Sequence, residues 1–357
     1  MEEWKEYKLG EVINILDYKR IPLSSAERKT REGGFPYYGA QGIIDYIDDY
    51  IFDGTYLLIA EDGENLKSKK QDIAQLAHGK YWVNNHAHIV ESNGICDIRY
   101  LCYILNNIDL SGYITGSAQP KLNQANLSAI SIILPPLNLQ EQIADFISMF
   151  DNKIELNQRI NDNLEQQAQA LFNEMFPHIT EGENMIGDLI MPKRGKGLLS
   201  KNAIKGDIPV VAGGIEPATY HNQANTTAPV LTIAASGANA GYINLWHIPV
   251  WASDSSYIDD SITPNVYFWY IMLKKRQKEI FDAQVGSAQP HIYPKHIAEL
   301  PMNVVFVEKI AEYNEIVTPI FEKKGQLYLE SKRLTSLRDT LLPKLMSGEP
   351  KINDINN

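Results

Sequence analysis

With Cys96 and Cys102 as its only cysteines, the chain has no material for a disulfide framework or a thiolate metal knuckle, and a reducing compartment is expected. No run of about 18 uncharged apolar residues occurs, so no membrane span is expected. The opening Met1-Glu2-Glu3-Trp4-Lys5-Glu6 has no apolar leader core, and the expected location is cytoplasmic. Positive charge is short as well. Against 44 Asp and Glu stand 33 Lys and Arg, a formal net charge of -11 that argues against a strongly basic nucleic-acid binder.

Catalytic motifs are missing too. Lys193-Arg-Gly-Lys-Gly197 is too short for a phosphate-cradling GxxxxGK[ST] loop, and Pro135-Pro136 follows Leu134 where an amino-methyltransferase would carry Asn or Asp. No HExxH helix and no Ser/His/Asp set stands out. His86 and His88, two apart on a possible strand, would supply half a metal site at most; ordinary polar positions or DNA contacts are the alternative. No catalytic residue, no metal and no cofactor of its own is expected for this chain.

What is present is a repeat. Gly116-Ser117-Ala118-Gln119-Pro120 returns as Gly286-Ser287-Ala288-Gln289-Pro290. The same 170-residue offset pairs Leu122 with Ile292, Leu127 with Ile297, Ile130 with Leu300 and Leu171 with Leu341. Upstream, Gly10-Glu11 matches Gly187-Asp188, Leu57 to Gly63 matches Leu231 to Gly237, and Trp82 matches Trp251. A period this long is a duplicated domain with its connector, not a solenoid.

Each copy ends in a helix. From Leu139 to Phe176 there is no Pro or Gly, and Ile143, Ile147, Phe150, Ile154, Asn157, Asn161, Leu164, Ala168, Leu171 and Met175 follow alternating four-three spacing. That is a seam for a partner helix, with Asn157 and Asn161 as register-setting amides, on a helix roughly 57 Å long. In the second copy Tyr313, Val317, Ile320, Leu327, Leu334 and Leu341 fall in the same phase, with Lys324, Ser331 and Arg338 among their companions. Pro319 is expected to bend this helix and Gly348 to end it. An intramolecular antiparallel coiled coil is the simplest pairing; the alternative has each helix packing on its own globule or on another chain.

Ahead of each helix, Tyr56–Ala60, Ile130–Leu134, Val230–Ala234 and Met302–Phe306 read as strands, with glycine turns at 38–42, 61–63 and 236–241. The fold class is therefore α+β: two β-rich domains and two long helices in an internal pseudo-two-fold repeat. The segments are 1–137, the helix 138–177, 178–305, the helix 306–348 and a tail 349–357.

Basic side chains cluster despite the acidic total: Lys19, Arg20, Arg28, Lys29 and Arg31; Lys67, Lys69 and Lys70; Lys193, Arg194, Lys196, Lys201 and Lys205. Local fields steer a polyanion within a Debye length of about 8 Å, so these are candidate phosphate contacts, with a merely solvated face as the alternative. Gln119 and Gln289 have the chemistry of adenine readers, but their identity in two otherwise different domains favours a structural role. Lys121 and His291 differ between the copies and are the better specificity candidates.

The two Gly-Ser-Ala-Gln-Pro strings, Leu134-Pro-Pro-Leu137, the helix from Leu139-Gln-Glu-Gln-Ile143 to Leu171-Phe-Asn-Glu-Met-Phe176, and the ending from Leu334 to Gly348 together resemble the specificity subunit of type I restriction-modification systems. The resemblance spans nearly the whole chain. It implies a noncatalytic reader of double-stranded DNA with two target recognition domains and a bipartite, asymmetric target. It implies two adenine-N6 methyltransferase subunits as partners, and two restriction subunits in the nuclease form. S-adenosylmethionine, ATP and magnesium would then bind those partners only. A coiled-coil scaffold without sequence-selective DNA binding is the competing class.

Overall fold

The computed structural model describes residues 4–68, 71–116, 119–286 and 289–349. The chain forms two compact units, residues 1–153 with 334–357, and residues 154–333. These units cut through both long helices, so each contains a β-rich part and a stretch of each helix.

In the first unit the strands are β1 (Lys5–Lys8), β2 (Ile13–Ile15), β3 (Glu32–Gly39), β4 (Gly42–Ile47), β5 (Phe52–Asp53), β6 (Tyr56–Ala60), β7 (Ala74–Ala77), β8 (Lys80–Val83), β9 (Ala87–Ser92) and β10 (Ser131–Leu134). One antiparallel sheet has the order β2-β9-β6-β7. The other has the order β4-β3-β8-β5, and in it β3 and β8 run parallel. β6 is buried on both faces because its apolar residues are continuous: Leu57 and Ile59 enter one core, while Leu58 enters another with Phe52, Tyr81 and Val83. Short helices α1 (Ser25–Lys29), α2 (Asn65–Ser68), α3 (Ile98–Asn107) and α4 (Gln124–Ala129) complete this part. Asp97 caps α3 by accepting from the Arg99 and Tyr100 N–H groups, and Tyr100, Leu101, Ile104 and Leu105 join the Leu57 core. The long helix α5 (Leu137–Met175) follows β10.

The second unit repeats this plan. Its strands are β11 (Asn184–Met185), β12 (Lys193–Arg194), β13 (Ile208–Val211), β14 (Thr219–His221), β15 (Val230–Ala234), β16 (Ile243–Trp246), β17 (Trp251–Ala252), β18 (Ser255–Ile258) and β19 (Pro301–Met302). The order β12-β18-β15-β16 reproduces β2-β9-β6-β7, and β14-β13-β17 reproduces β4-β3-β8 down to its parallel pair. The antiparallel pair β11·β19 stands for β1·β10. Helices α6 (Val266–Lys275), α7 (Gln277–Asp282) and α8 (Pro294–Ala298) lead to α9 (Val307–Met346). The matched glycines meet matched partners: a Cβ on Gly10 would lie 2.9 Å from the Ser128 Cβ, and one on Gly187 would lie 3.1 Å from the Ala298 Cβ. The expected strand Met302–Phe306 shrinks to Pro301–Met302, since β11 offers two residues to pair with, and Val304 and Phe306 are exposed.

α5 and α9 pack antiparallel. In the first unit Ile143 and Ile147 share a core with Leu342 and Leu345, and Arg338 meets Asp151 at 2.6 Å. In the second, Asn157 Nδ2 donates to Glu330 and Ser331, Lys324 pairs with Glu165, and Tyr313 reaches Ala168. Within each unit the α9 numbers fall as those of α5 rise. Of the expected seam, Ile143, Ile147, Asn157, Tyr313, Val317 and Leu327 are buried, while Phe150, Ile154, Asn161, Leu164, Leu171, Ile320, Leu334 and Leu341 are half-buried.

Two fully buried aromatics lie off that heptad. Phe172 packs on Phe268, and Phe321 stacks on Tyr267 at 4.6 Å, because the β-rich part also covers the helices and widens their apolar face beyond a two-helix seam. The expected bend at Pro319 does not interrupt α9; the ring sits on the exposed face, where water can satisfy the carbonyl it deprives. Past the helix end, Gly348 at φ +81° donates to Leu345 O and Glu349 donates to Lys344 O, a Schellman ending.

Candidate nucleic-acid interface

The described residues that flank the two repeated strings pair in the same way. Thr115 and Lys121 exchange two backbone hydrogen bonds of 2.8 Å, and Val285 and His291 exchange bonds of 3.0 and 2.8 Å. The chain reverses through Gly116 at φ +81° and Gly286 at φ +99°. A Cβ there would stand 2.2 Å from Gln119 O or 2.6 Å from Gln289 O, so both positions require glycine. Each loop is tied to the turn after the central strand. Leu122 N–H donates to Glu61 O and Gly63 N–H to Pro120 O; Ile292 N–H donates to Ala235 O and Gly237 N–H to Pro290 O. Gln119 and Gln289 are exposed, and Ser117, Ala118, Ser287 and Ala288 lie outside the described residues.

Lys121 and His291 thus occupy one backbone position in two units, on different supports. In the first unit, Lys121 Nζ lies 3.2 Å from Glu61 Oε1, and Arg20 Nη1 lies 3.0 Å from Glu61 Oε2. Arg20 also contacts Asp17 Oδ2 at 3.1 Å and donates to the carbonyls of Asp17 and Ala87. Buried His88 places Nδ1 2.6 Å from Asp17 Oδ2 and Nε2 2.7 Å from Leu122 O, so the ring bridges the carboxylate and the loop backbone. Burial of Asp17 pushes its carboxyl up, but hydrogen bonds from His88, Gln124 and the Ile89 N–H outweigh that, and the net shift is downward. Asp17, Glu61 and His88 present three ligand atoms within 4.8 Å of one another, yet their carboxylates already face the Arg20 guanidinium, which fills the role a metal ion would take.

The second unit lacks this assembly. In register, Ser256 opposite Ile233 takes the place of His88 opposite Ile59, and Ala235 takes that of Glu61. His291 is half-buried and lies nearly parallel to Tyr293, ring centroids 5.9 Å apart. Arg194 pairs with Asp254 at 2.6 Å, and the Ser236 hydroxyl donates to the same carboxylate.

The other expected contacts divide into two groups. Arg28 meets Asp45 at 2.8 Å, and Arg31 meets Asp48 at 2.9 Å while lying over the Trp82 ring; with Arg20 and Arg194, these guanidiniums brace their own unit. Lys67 Nζ donates to Gly116 O at 3.0 Å, so it holds the first loop, and Lys193 Nζ reaches the Ser261 hydroxyl. Lys19, Lys29, Lys196 and Lys201 are exposed. Lys69 and Lys70 fall outside the described residues. His86 and His88 do not share a strand face: His86 lies before β9 and bonds Asp62, while His88 is inside the network. Sequence reading missed Asp17 and Glu61, since Asp17 and His88 are 71 positions apart and carry no local signature.

Among the described residues, the two cysteines are poor nucleophiles. Burial pushes the Cys102 thiol up to about 12 and raises Cys96 as well, so neither supplies a thiolate. Among the described residues no helix is long and apolar enough to cross a membrane.

Residues 1–166 match the sequence profile of the type I restriction modification DNA specificity domain. Over 220 residues the chain is 34% identical to a protein of Haemophilus influenzae named as a type I restriction enzyme specificity subunit, and the match spans 58% of this chain and 55% of that protein. The type I restriction enzyme HindI specificity subunit of the same organism is 27% identical, over 98% of this chain and 100% of its own length. The fold is shared with a crystal structure of the type I restriction-modification S subunit from M. genitalium, at TM-score 0.65 and 19% identity over 96% of both chains.

Proposed function

Because this chain belongs to the family of type I restriction-modification specificity subunits, we propose that it is the noncatalytic DNA reader of such a complex. The β-rich part of each unit reads one half of a bipartite target, and the paired helices carry the methyltransferase subunits, with restriction subunits joining in the nuclease form. S-adenosylmethionine, ATP and magnesium bind those partners. The observation that supports this most is the repeated loop with Lys121 in one unit and His291 in the other: the same platform with different donors suits an asymmetric target. Exposed Lys19, Lys29, Lys196 and Lys201 supply phosphate contacts.

The test is to co-express the chain with its neighbouring methyltransferase and map N6-methyladenine by single-molecule sequencing. A split asymmetric motif is expected, lost on deletion of this chain. Exchanging residues 178–305 for another recognition domain should alter one half of the motif only. Absence of any motif despite a stable complex with the methyltransferase would sink this reading and favour a scaffold.

A further inference from the structure

The Lys121 side chain is half exposed, but the carboxylate it meets is not a surface group. Glu61 is 14% exposed, Arg20 behind it 13%, Asp17 4% and His88 1%. A surface lysine paired with a mobile carboxylate gains little and stays loose. Here Glu61 is fixed by a guanidinium with three further anchors, and the backbone of Lys121 is fixed by Thr115 on one side, with Leu122 bonded to Glu61 O on the other. Both ends of the lysine are therefore held.

We infer that Glu61, braced by Arg20 and the Asp17–His88 pair, is a positioning residue that holds the Lys121 ammonium as a fixed donor to the two-acceptor N7/O6 edge of a guanine in one half-site. The ammonium has three N–H donors. One faces Glu61, which leaves two for a base edge that offers only acceptors. Without Glu61 the flexible stem would turn to the nearest phosphate, which carries no sequence information. The second unit has Ala235 in the place of Glu61 and Ser256 in that of His88, so His291 is held by its neighbour Tyr293 instead. This device therefore shapes one half-site alone. The inference rests on the DNA-reading role proposed above.

The experiment compares methylation motifs in the complex with the methyltransferase for the wild type, Glu61→Ala, Glu61→Gln, Lys121→Ala and the Glu61→Ala/Lys121→Ala double variant. Glu61→Ala should lower discrimination at one base pair by about tenfold or more, the same base pair that Lys121→Ala relaxes. The double variant should relax no further position. Glu61→Gln, which keeps an acceptor but loses the charge, should fall between. The unaltered half-site reports that each variant folds and assembles. Two outcomes overturn the inference: weaker methylation with every base preference intact, which makes Glu61 purely structural, or relaxation at different base pairs for Glu61→Ala and Lys121→Ala. A wild-type chain that directs no bipartite methylation would instead sink the DNA-reading role itself, and the wild-type arm separates that case.

Discussion

The hydroxyl of Tyr313 on α9, itself fully buried, donates to the backbone carbonyl of Ala168 on α5 at 2.8 Å. The ring makes edge contacts with Phe172 and Phe176, so one side chain supplies both apolar packing and a directional bond between the helices. Tyr313→Phe should cost about 1 kcal/mol, the net worth of a buried hydrogen bond. Tyr313→Ala should cost about 3–5 kcal/mol through the cavity it leaves. Ile143→Ala, at a fully buried seam position, should cost about 2–5 kcal/mol, and half-buried Leu334→Ala clearly less. Urea unfolding followed by far-UV circular dichroism gives the ranking; equal costs for Ile143 and Leu334 would contradict the observed packing.

The two loop glycines make a second prediction. Gly116 and Gly286 combine a left-handed backbone with a carbonyl in the space of any Cβ, whereas Gly79 at φ +76° has nothing within 4 Å. Gly79→Ala should cost about 1–2 kcal/mol from backbone strain alone. Gly116→Ala and Gly286→Ala should each cost more, because the loop must also open. Thermal unfolding of the three variants checks this, and a Gly79→Ala penalty as large as the others would refute the steric argument.

A third prediction concerns pH. Burial pushes His247 down to about 4, with nearby Lys324 adding to the shift and Glu165 opposing it. Its ring packs against Gly325 of α9, where a Cβ would come within 2.8 Å. In the unfolded chain the ring titrates near its ordinary 6.5, so the unfolded state binds more protons between about 6.5 and 4. The stability that neutral His247 contributes is therefore complete above 6.5 and falls as pH drops toward 4, by about 3 kcal/mol in all. Melting temperatures across that window should decline less steeply for His247→Asn than for the wild type. Identical slopes would remove His247 as the cause.

Much of the architecture was legible without coordinates because it is carried by local or repeated signals. The duplicated pentapeptide located the two loops, Tyr56–Ala60 and Val230–Ala234 are strands at those bounds, and uninterrupted heptad spacing marked α5 to within two residues at its start. The candidate interface was legible only in part. A lysine in a basic cluster looks the same whether it faces water, like Lys29, or holds a loop carbonyl, like Lys67.

What the chain determined by itself is what spacing along it can encode: the repeat, the helix phase and the glycine turns. Tertiary structure alone decided how the charges are used. Arg20, Arg28, Arg31 and Arg194 read as one class of basic residue, yet each sits beside a carboxylate of its own unit, at least 17 positions distant for the last three and, for Arg20, beside both Asp17 and Glu61. Strand pairing brings those partners together, and a Coulomb interaction depends on distance in space and the local dielectric, neither of which separation in sequence reveals. For the same reason Phe172 and Phe321, off the heptad, became core: helix α6, whose Phe268 and Tyr267 pack on them, comes from residues far along the chain.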